Sequence, residues 1–429
     1  PSPAQAQSGI SRELRELTYE PVDRDGQPLP TPAALPALPG SSHIDTPLGR
    51  CVVVDHLFAA DSDHGRHRVE HGVVSSDEVI DFCGALKAES AGGPDVLFLD
   101  LETTGLSGGA GTLAFLVGCG FFEDGGFRTR QFLLPAFSAE RALMHAVTEL
   151  IADAGCLVTY NGRTFDVPLM ETRWLFHRVP PPWTELPHLD MLPLSRRLWR
   201  DRDEMERAGC RLVTLEHDLF GVVRHGDVPG FEIPGRYFEY VRGGDAALLE
   251  PVLHHNRLDL LSLALLTARA MRLFRDGGSG ARDPQECLAV GRELWRRRDV
   301  ARAEACFRAA ADAPVASGAV RGDALYAWAS LLRRERRYVE AAAIWTRLAA
   351  CRGARPGLSH EAREALAIHY EHRDRDLDKA HEWATGAFEP GSADSRREAM
   401  EHRLARLRRK MSVQAKGGPQ AAWLLDELS

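Results

Sequence analysis

Val96-Leu97-Phe98-Leu99-Asp100-Leu101-Glu102-Thr103-Thr104-Gly105 (VLFLDLETTG, residues 96–105) begins as an unbroken apolar run and closes on two acids one residue apart. Consecutive apolar residues of this kind predict a strand buried on both faces. Side chains alternate along a strand, so Asp100 and Glu102 point to the same side. Two carboxylates at a buried strand end repel each other and lose hydration, which is costly unless a cation neutralises them. A D-x-E pair taken alone fits equally well a strand end whose acids cap a turn. Partner acids elsewhere in the chain are needed to distinguish the two.

At 429 residues the chain is too long for one typical domain; at about 100–200 residues per domain, two or three are expected. An apolar content of 44% and a charged content of 27% are ordinary for a globular protein. The net charge of −8 gives no general argument for nucleic-acid binding, but it is unevenly spread. Residues 281–429 hold about 27 Lys/Arg against about 22 Asp/Glu, which leaves roughly −13 for residues 1–280. The eight cysteines form no C-x-x-C pair, so neither a zinc site nor a disulfide framework is expected. No apolar run reaches the ~18–20 residues of a membrane span. The start, PSPAQAQSGI, does not read as a signal peptide, and its lack of Met suggests a trimmed N-terminus. A cytoplasmic location is the resulting expectation.

Five segments are expected. Residues 1–48, rich in Pro, Ser and Gly, read as extended or poorly ordered chain. Residues 49–94 carry short apolar pieces that fit a small α/β region, and His56, His64, His67 and His71 within it read as a solvated loop rather than a metal site. Residues 95–276 form the main domain. After the opening strand, Thr112–Phe122 and Phe127–Leu134 read as strands joined by a hairpin turn at Glu123-Asp124-Gly125-Gly126. A helix capped by Ser138, a short strand Cys156–Tyr160 and a helix over Thr164–His177 follow. Asp245–Phe274 is strongly helical, with a break expected near His254-His255-Asn256. The fold class is therefore α/β, a mixed sheet with flanking helices. Residues 277–283 (opening on Gly277-Gly278-Ser279-Gly280) read as a linker. In residues 284–429, Gly291…Ala303…Phe307 recurs as Ala329…Ala341…Trp345, and more weakly beyond Ile368. This ~38–39-residue offset resembles tetratricopeptide helical repeats.

Partner acids do occur. Asp166, in YNGRTFD, falls in the first turn of a helix after a strand, where the helix N-terminus favours a carboxylate. Asp259, in HHNRLDLLSLALL, interrupts an otherwise apolar helix, where an aspartate is rarely kept without a partner. Four hard oxygen donors (Asp100, Glu102, Asp166 and Asp259) suit Mg²⁺ or Mn²⁺ rather than zinc. Two such ions ~3.5–4 Å apart can drive an in-line phosphodiester displacement. A general base is still required, and a histidine suits proton transfer near neutral pH. If the helix runs through, His255 shares a face with Asp259; if Asn256 caps it, His254 can swing in instead. His255 is favoured and His254 stays the alternative. Asp190 reads as a helix cap before a support for the site, Arg224 and Arg236 as solvated charges before phosphate contacts, and Tyr237 and Phe238 as core before base-stacking rings.

D-L-E-T-T-G, then N-x-x-x-F-D, then H-x-x-x-x-D or H-x-x-x-D resemble the three motifs of the DEDD (DEDDh-like) superfamily of ribonuclease H-like 3′→5′ exonucleases. RHGDVPGFEIPGRYFEYVRGGD followed by HHNRLDLLSLALL further resembles the bacterial YprB-type branch, related to mitomycin-repair exonucleases and carrying C-terminal tetratricopeptide repeats. The resemblance implies two Mg²⁺ or Mn²⁺ ions on Asp100, Glu102, Asp166 and Asp259, with water activated by the histidine pair. It implies that the substrate's 3′ end is seated against Thr103, Thr104 and Gly105, with Asn161 near its backbone. It implies a nucleic-acid partner, DNA in repair before RNA, and a protein partner on the repeats, for example a helicase. The rivals are an RNA exonuclease or ribonuclease H-type endonuclease on the same fold, and a repeat scaffold with a vestigial nuclease domain.

Overall fold

The computed structural model describes residues 38, 40–85, 92–105, 111–123, 125–200, 209–355, 357–387 and 394–415. These divide into two units between Met271 and Arg272, with Arg197–Trp199 grouped with the second. No helix among the described residues is long and apolar enough to cross a membrane.

The strands of the first unit are β1 (Ser41–Thr46), β2 (Gly49–Ala59), β3 (Asp63–His64), β4 (His67–Arg68), β5 (Val96–Thr103), β6 (Ala114–Glu123), β7 (Gly126–Leu133), β8 (Cys156–Thr159) and β9 (His188–Asp190). Seven of them make one mixed sheet in the order β1-β2-β7-β6-β5-β8-β9, and β3 pairs with β4 apart from it. The β1-to-β5 pairings are antiparallel, and β5-β8-β9 are parallel. Val96–Leu99 of β5 are at most 5% exposed, as the apolar run predicts. Each such burial is worth about 1.5–3 kcal/mol, so the strand end carrying Asp100 and Glu102 is firmly anchored. The β6–β7 hairpin forms as expected, with Glu123 opposite Gly126. Gly125 takes the positive φ (75°) that a two-residue turn of this twist requires; Asp124 lies outside the described residues.

The helices are α1 (Ser76–Cys83), α2 (Glu140–Ala152), α3 (Asp166–Phe176), α4 (Met191–Trp199), α5 (Leu212–Phe220), α6 (Ile233–Gly243) and α7 (Glu250–Arg275). From Ser41 the N-terminal chain is extended as β1, and β1 and β2 complete the main sheet, with Arg130 of β7 gripping Asp55 of β2 at 2.9 Å. Two expectations need correction. Ser138 caps no helix: Phe137–Ala139 form a 3-10 turn and α2 starts behind it without a side-chain cap. The break near His254-His255-Asn256 is absent, and α7 runs through unbroken.

The second unit is helical: α8 (Pro284–Arg296), α9 (Val300–Asp312), α10 (Gly318–Arg334), α11 (Tyr338–Ala349), α12 (Leu358–His369), α13 (Leu377–Gly386) and α14 (Asp394–Ala415). Consecutive helices pack as hairpins. A Cβ on Gly291 of α8 would stand 2.8 Å from Phe307 of α9, so this crossing requires glycine. The turn inside each hairpin places an arginine in the left-handed region, at Arg298 (φ 65°), Arg336 (61°) and Arg375 (53°). Those positions keep the spacing of the sequence repeat.

Candidate active site

Asp100 and Glu102 stand half-buried at the end of β5, where the register with β6 slips by a bulge between Glu102 and Thr103. Asp166 opens α3, and Asp259 lies one helical turn beyond His255 on α7. These acids from three elements act on one another electrostatically. Burial, followed by the charges of Asp259, Glu102 and Asp166, holds the Asp100 carboxyl well above the usual range. Burial, then Asp259, Asp166 and Asp227, does the same to Glu102. Burial and the charge of Asp190 push Asp166 up to about 7.

The loop carrying Asp166 is set by Asp190. As expected, Asp190 caps a helix, accepting from the Leu192 N–H at 3.0 Å. It also accepts from the N–H groups of Asn161 (2.8 Å) and Arg163 (3.2 Å). Those bonds hold Asn161 in the left-handed region (φ 68°), which asparagine tolerates better than most residues. Thr103 Oγ1 donates to the Gly105 carbonyl at 2.9 Å, and Thr104 Oγ1 accepts from Leu113 N–H at 3.0 Å. Both hydroxyls expected to seat a substrate thus close the turn after β5.

Because α7 is unbroken, the two histidines point apart. His254 is exposed, and its charge bears on His56 of β2. His255 Nδ1 sits 2.7 Å from Asp227 Oδ1, and its Nε2 is 3.5 Å from Asp259 Oδ2. Asn256 does not cap; its side chain is fully buried and donates to Asp100 Oδ2 at 2.8 Å.

Arg224 is not a solvated charge: its side chain is only 4% exposed. It pairs with Glu216 (2.6 Å), Asp259 (2.5 Å) and Asp227 (3.3 Å). Burial alone would lower its affinity for a proton, but Asp259 and Glu216 outweigh that and raise it. Glu216 accepts in turn from the Ser262 hydroxyl. The Ser262 proton is therefore committed, so His64 Nε2, 2.8 Å away, must be the donor to Ser262 Oγ. His64, expected in a solvated loop, is buried, and burial followed by the charge of Arg224 pulls it down to about 4. Arg236 is half-buried against Glu232, and Tyr237 is core, stacked on Phe115. A cavity of about 510 Å³, lined in part by Asp55, His56, Glu250 and Arg257, touches none of the four acids.

The pattern that defines the RNase H superfamily matches residues 97–271, which span β5 through the end of the first unit. The uncharacterized protein YprB of Bacillus subtilis (strain 168) is 30% identical over 330 residues, covering 76% of this chain and 78% of that protein. The chain belongs to the RNase H superfamily. Members of the RNase H superfamily are usually nucleases and commonly use divalent metals, so nucleic-acid hydrolysis is the activity indicated. The donor chemistry agrees, since the mutual repulsion of hard oxygens is what a divalent cation would relieve. Among the described residues no three metal-capable side chains are already gathered as a ligand cluster, and Asp259 is held by Arg224 instead.

The weakened acidity of Asp166 gives a pH prediction for the metal-free RNase H domain. The folded chain keeps this proton up to about pH 7, whereas the unfolded chain releases it near the ordinary value of 3.8. Folding therefore binds a proton between these values, and the stabilisation is complete below about pH 4 and lost as pH rises to 7. In chelator, the stability advantage of Asp166→Asn over wild type should widen by up to roughly 4 kcal/mol across that window. Denaturant unfolding at pH 4.5 and 7.5 measures it; a constant gap would contradict the shift.

Proposed function

We infer that this chain is a metal-dependent 3′→5′ exonuclease that hydrolyses phosphodiester bonds, acting on DNA ends in repair. The observation that supports the reading is that Asp259 and Asp166, on α7 and α3, lie within electrostatic reach of both Asp100 and Glu102 at the end of β5. Those four would hold two Mg²⁺ or Mn²⁺ ions, which when bound supply an activated water and stabilise the leaving oxygen. His255 is the proposed base, taking the water's proton at Nε2 while Asp227 fixes Nδ1. The turn at Thr103–Gly105 and the loop at Asn161 would seat the 3′ end by backbone shape, since both threonine hydroxyls are engaged locally. The preference for DNA over RNA follows the family resemblance. The tetratricopeptide-type reading of residues 284–429 is supported by the recurring left-handed arginines, and it gives the chain a surface for a protein partner such as a helicase.

The test uses 5′-labelled linear DNA, the matching RNA, and circular single-stranded DNA, each with Mn²⁺. Stepwise shortening of the linear DNA, no cleavage of the circle, and loss of both metal dependence and product in Asp166→Ala are expected. Nicking of the circle would indicate an endonuclease, and faster loss of RNA an RNA exonuclease. A wild-type chain inert towards all three substrates would favour the scaffold reading.

A further inference from the structure

A buried chain of side-chain hydrogen bonds runs across the sheet and ends on Asp100. Asp100, Gly118 and Gln131 are paired in register across β5, β6 and β7, so they occupy one rung on the same face. Gly118 leaves the middle of that rung vacant, and Asn256 of α7 fills it. A Cβ at position 118 would lie 2.1 Å from Asn256 Oδ1. Gln131 Nε2 donates to Asn256 Oδ1 at 2.8 Å and to the Leu253 carbonyl at 2.9 Å. Asn256 Nδ2 donates to Asp100 Oδ2 at 2.8 Å. At the outer end, Arg257 Nε donates to Gln131 Oε1 at 2.9 Å. Gln131 and Asn256 are fully buried, and Arg257 is 9% exposed.

The direction of this chain is determined by its ends. A guanidinium has only donors, so Gln131 must turn its oxygen to Arg257 and its nitrogen inward. The Leu253 carbonyl, which only accepts, demands the same orientation. Asn256 must then offer its oxygen to Gln131 and its nitrogen to the carboxylate. We propose that Arg257 is a positioning residue that acts through Gln131 and Asn256 to fix the Asp100 carboxylate for cation binding. The proposal rests on Asp100 being a metal ligand, as read above. Groups that orient a ligating carboxylate typically change metal affinity by about 10–100-fold when removed.

The full chain is titrated with Mn²⁺ alone by calorimetry, with thermal unfolding of each variant alongside. Gln131→Glu offers acceptors to both neighbours, so Asn256 must reverse and point its oxygen at Asp100. Mn²⁺ affinity should fall by about 10–100-fold. Arg257→Met should lose about 10-fold, and Arg257→Lys, which restores a donor, should recover most of it. The Arg257 pair carries the test by itself if Gln131→Glu does not fold. Wild-type affinity in Arg257→Met, or a loss that tracks the melting temperature and is not rescued by Arg257→Lys, overturns the proposal. Asp100→Ala separates the two levels. If it binds Mn²⁺ weakly while the relay variants bind normally, only the relay falls; if it binds as wild type, the metal-site reading falls with it.

Discussion

Replacing His255 with alanine is expected to lower the hydrolytic rate by roughly 10²–10⁴-fold, the usual contribution of a positioned proton-transfer group, while His254→Ala stays near wild type. The asymmetry comes from the unbroken α7. A continuous helix stacks residues 255 and 259 on one face, and it turns residue 254 away towards solvent and β2. Asp227, 2.7 Å from His255 Nδ1, fixes the orientation of the ring, as the carboxylate of a catalytic triad does. Asp227 is itself held below the ordinary range: burial works against this, and the bonds from His255 and Arg224 overcome it. Asp227→Asn should therefore also slow hydrolysis, by less than loss of the ring itself. Single-turnover rates at saturating Mn²⁺ measure all three variants. An inactive His254→Ala beside an active His255→Ala would move the base to the other histidine.

Much of the fold was legible because burial leaves a strong mark on composition. β5 and β6 read as strands from apolar runs alone, and the hairpin between β6 and β7 from its glycines. What could not be read locally was long-range pairing. β2 meets β7 through a ladder in which Asp55 faces Arg130, and nothing in residues 49–59 names a partner that distant. The expected break in α7 was an error of another kind. Three consecutive polar residues look like a helix end, yet here they are polar because each meets a different neighbour: His254 solvent, His255 Asp227 and Asn256 Asp100.

The four acids proposed as ligands stand out in the sequence for a related reason, since a carboxylate on an apolar element needs an explanation. The groups that support them were not. Glu216 lies on the short helix α5, and Arg224 and Asp227 lie in the loop between α5 and α6, where no periodicity separates a buried charge from a solvated one. Gln131 did leave a signal. In FRTRQF the two arginines occupy one face of the strand, so Thr129 and Gln131 must occupy the other. A glutamine on the buried face of a strand calls for partners, which proved to be Arg257 and Asn256.

Arg224→Met is expected to destabilise the RNase H domain by about 3–5 kcal/mol, the cost of leaving buried charges without their counterion. Glu216 is 1% exposed at its side chain, Asp259 16% and Asp227 19%, so water cannot replace the lost guanidinium. The methionine keeps the apolar stem, which makes charge the principal difference. Acid should therefore repair the variant. Burial already raises Glu216 even with Arg224 bonded to it, and without that bond it would hold its proton to still higher pH. The deficit should be larger at pH 8 than at pH 5, because a Glu216 that gains its proton as pH falls no longer needs a cation. Removing the same charge by Arg224→Met with Glu216→Gln should recover much of the loss at pH 8. Mn²⁺ should act in the same direction, because Asp259 released from Arg224 is available to a cation, and ligand binding to the folded state adds stability by mass action. Denaturant unfolding at both pH values, with and without Mn²⁺, separates this from a packing defect, which would give an equal deficit under all four conditions.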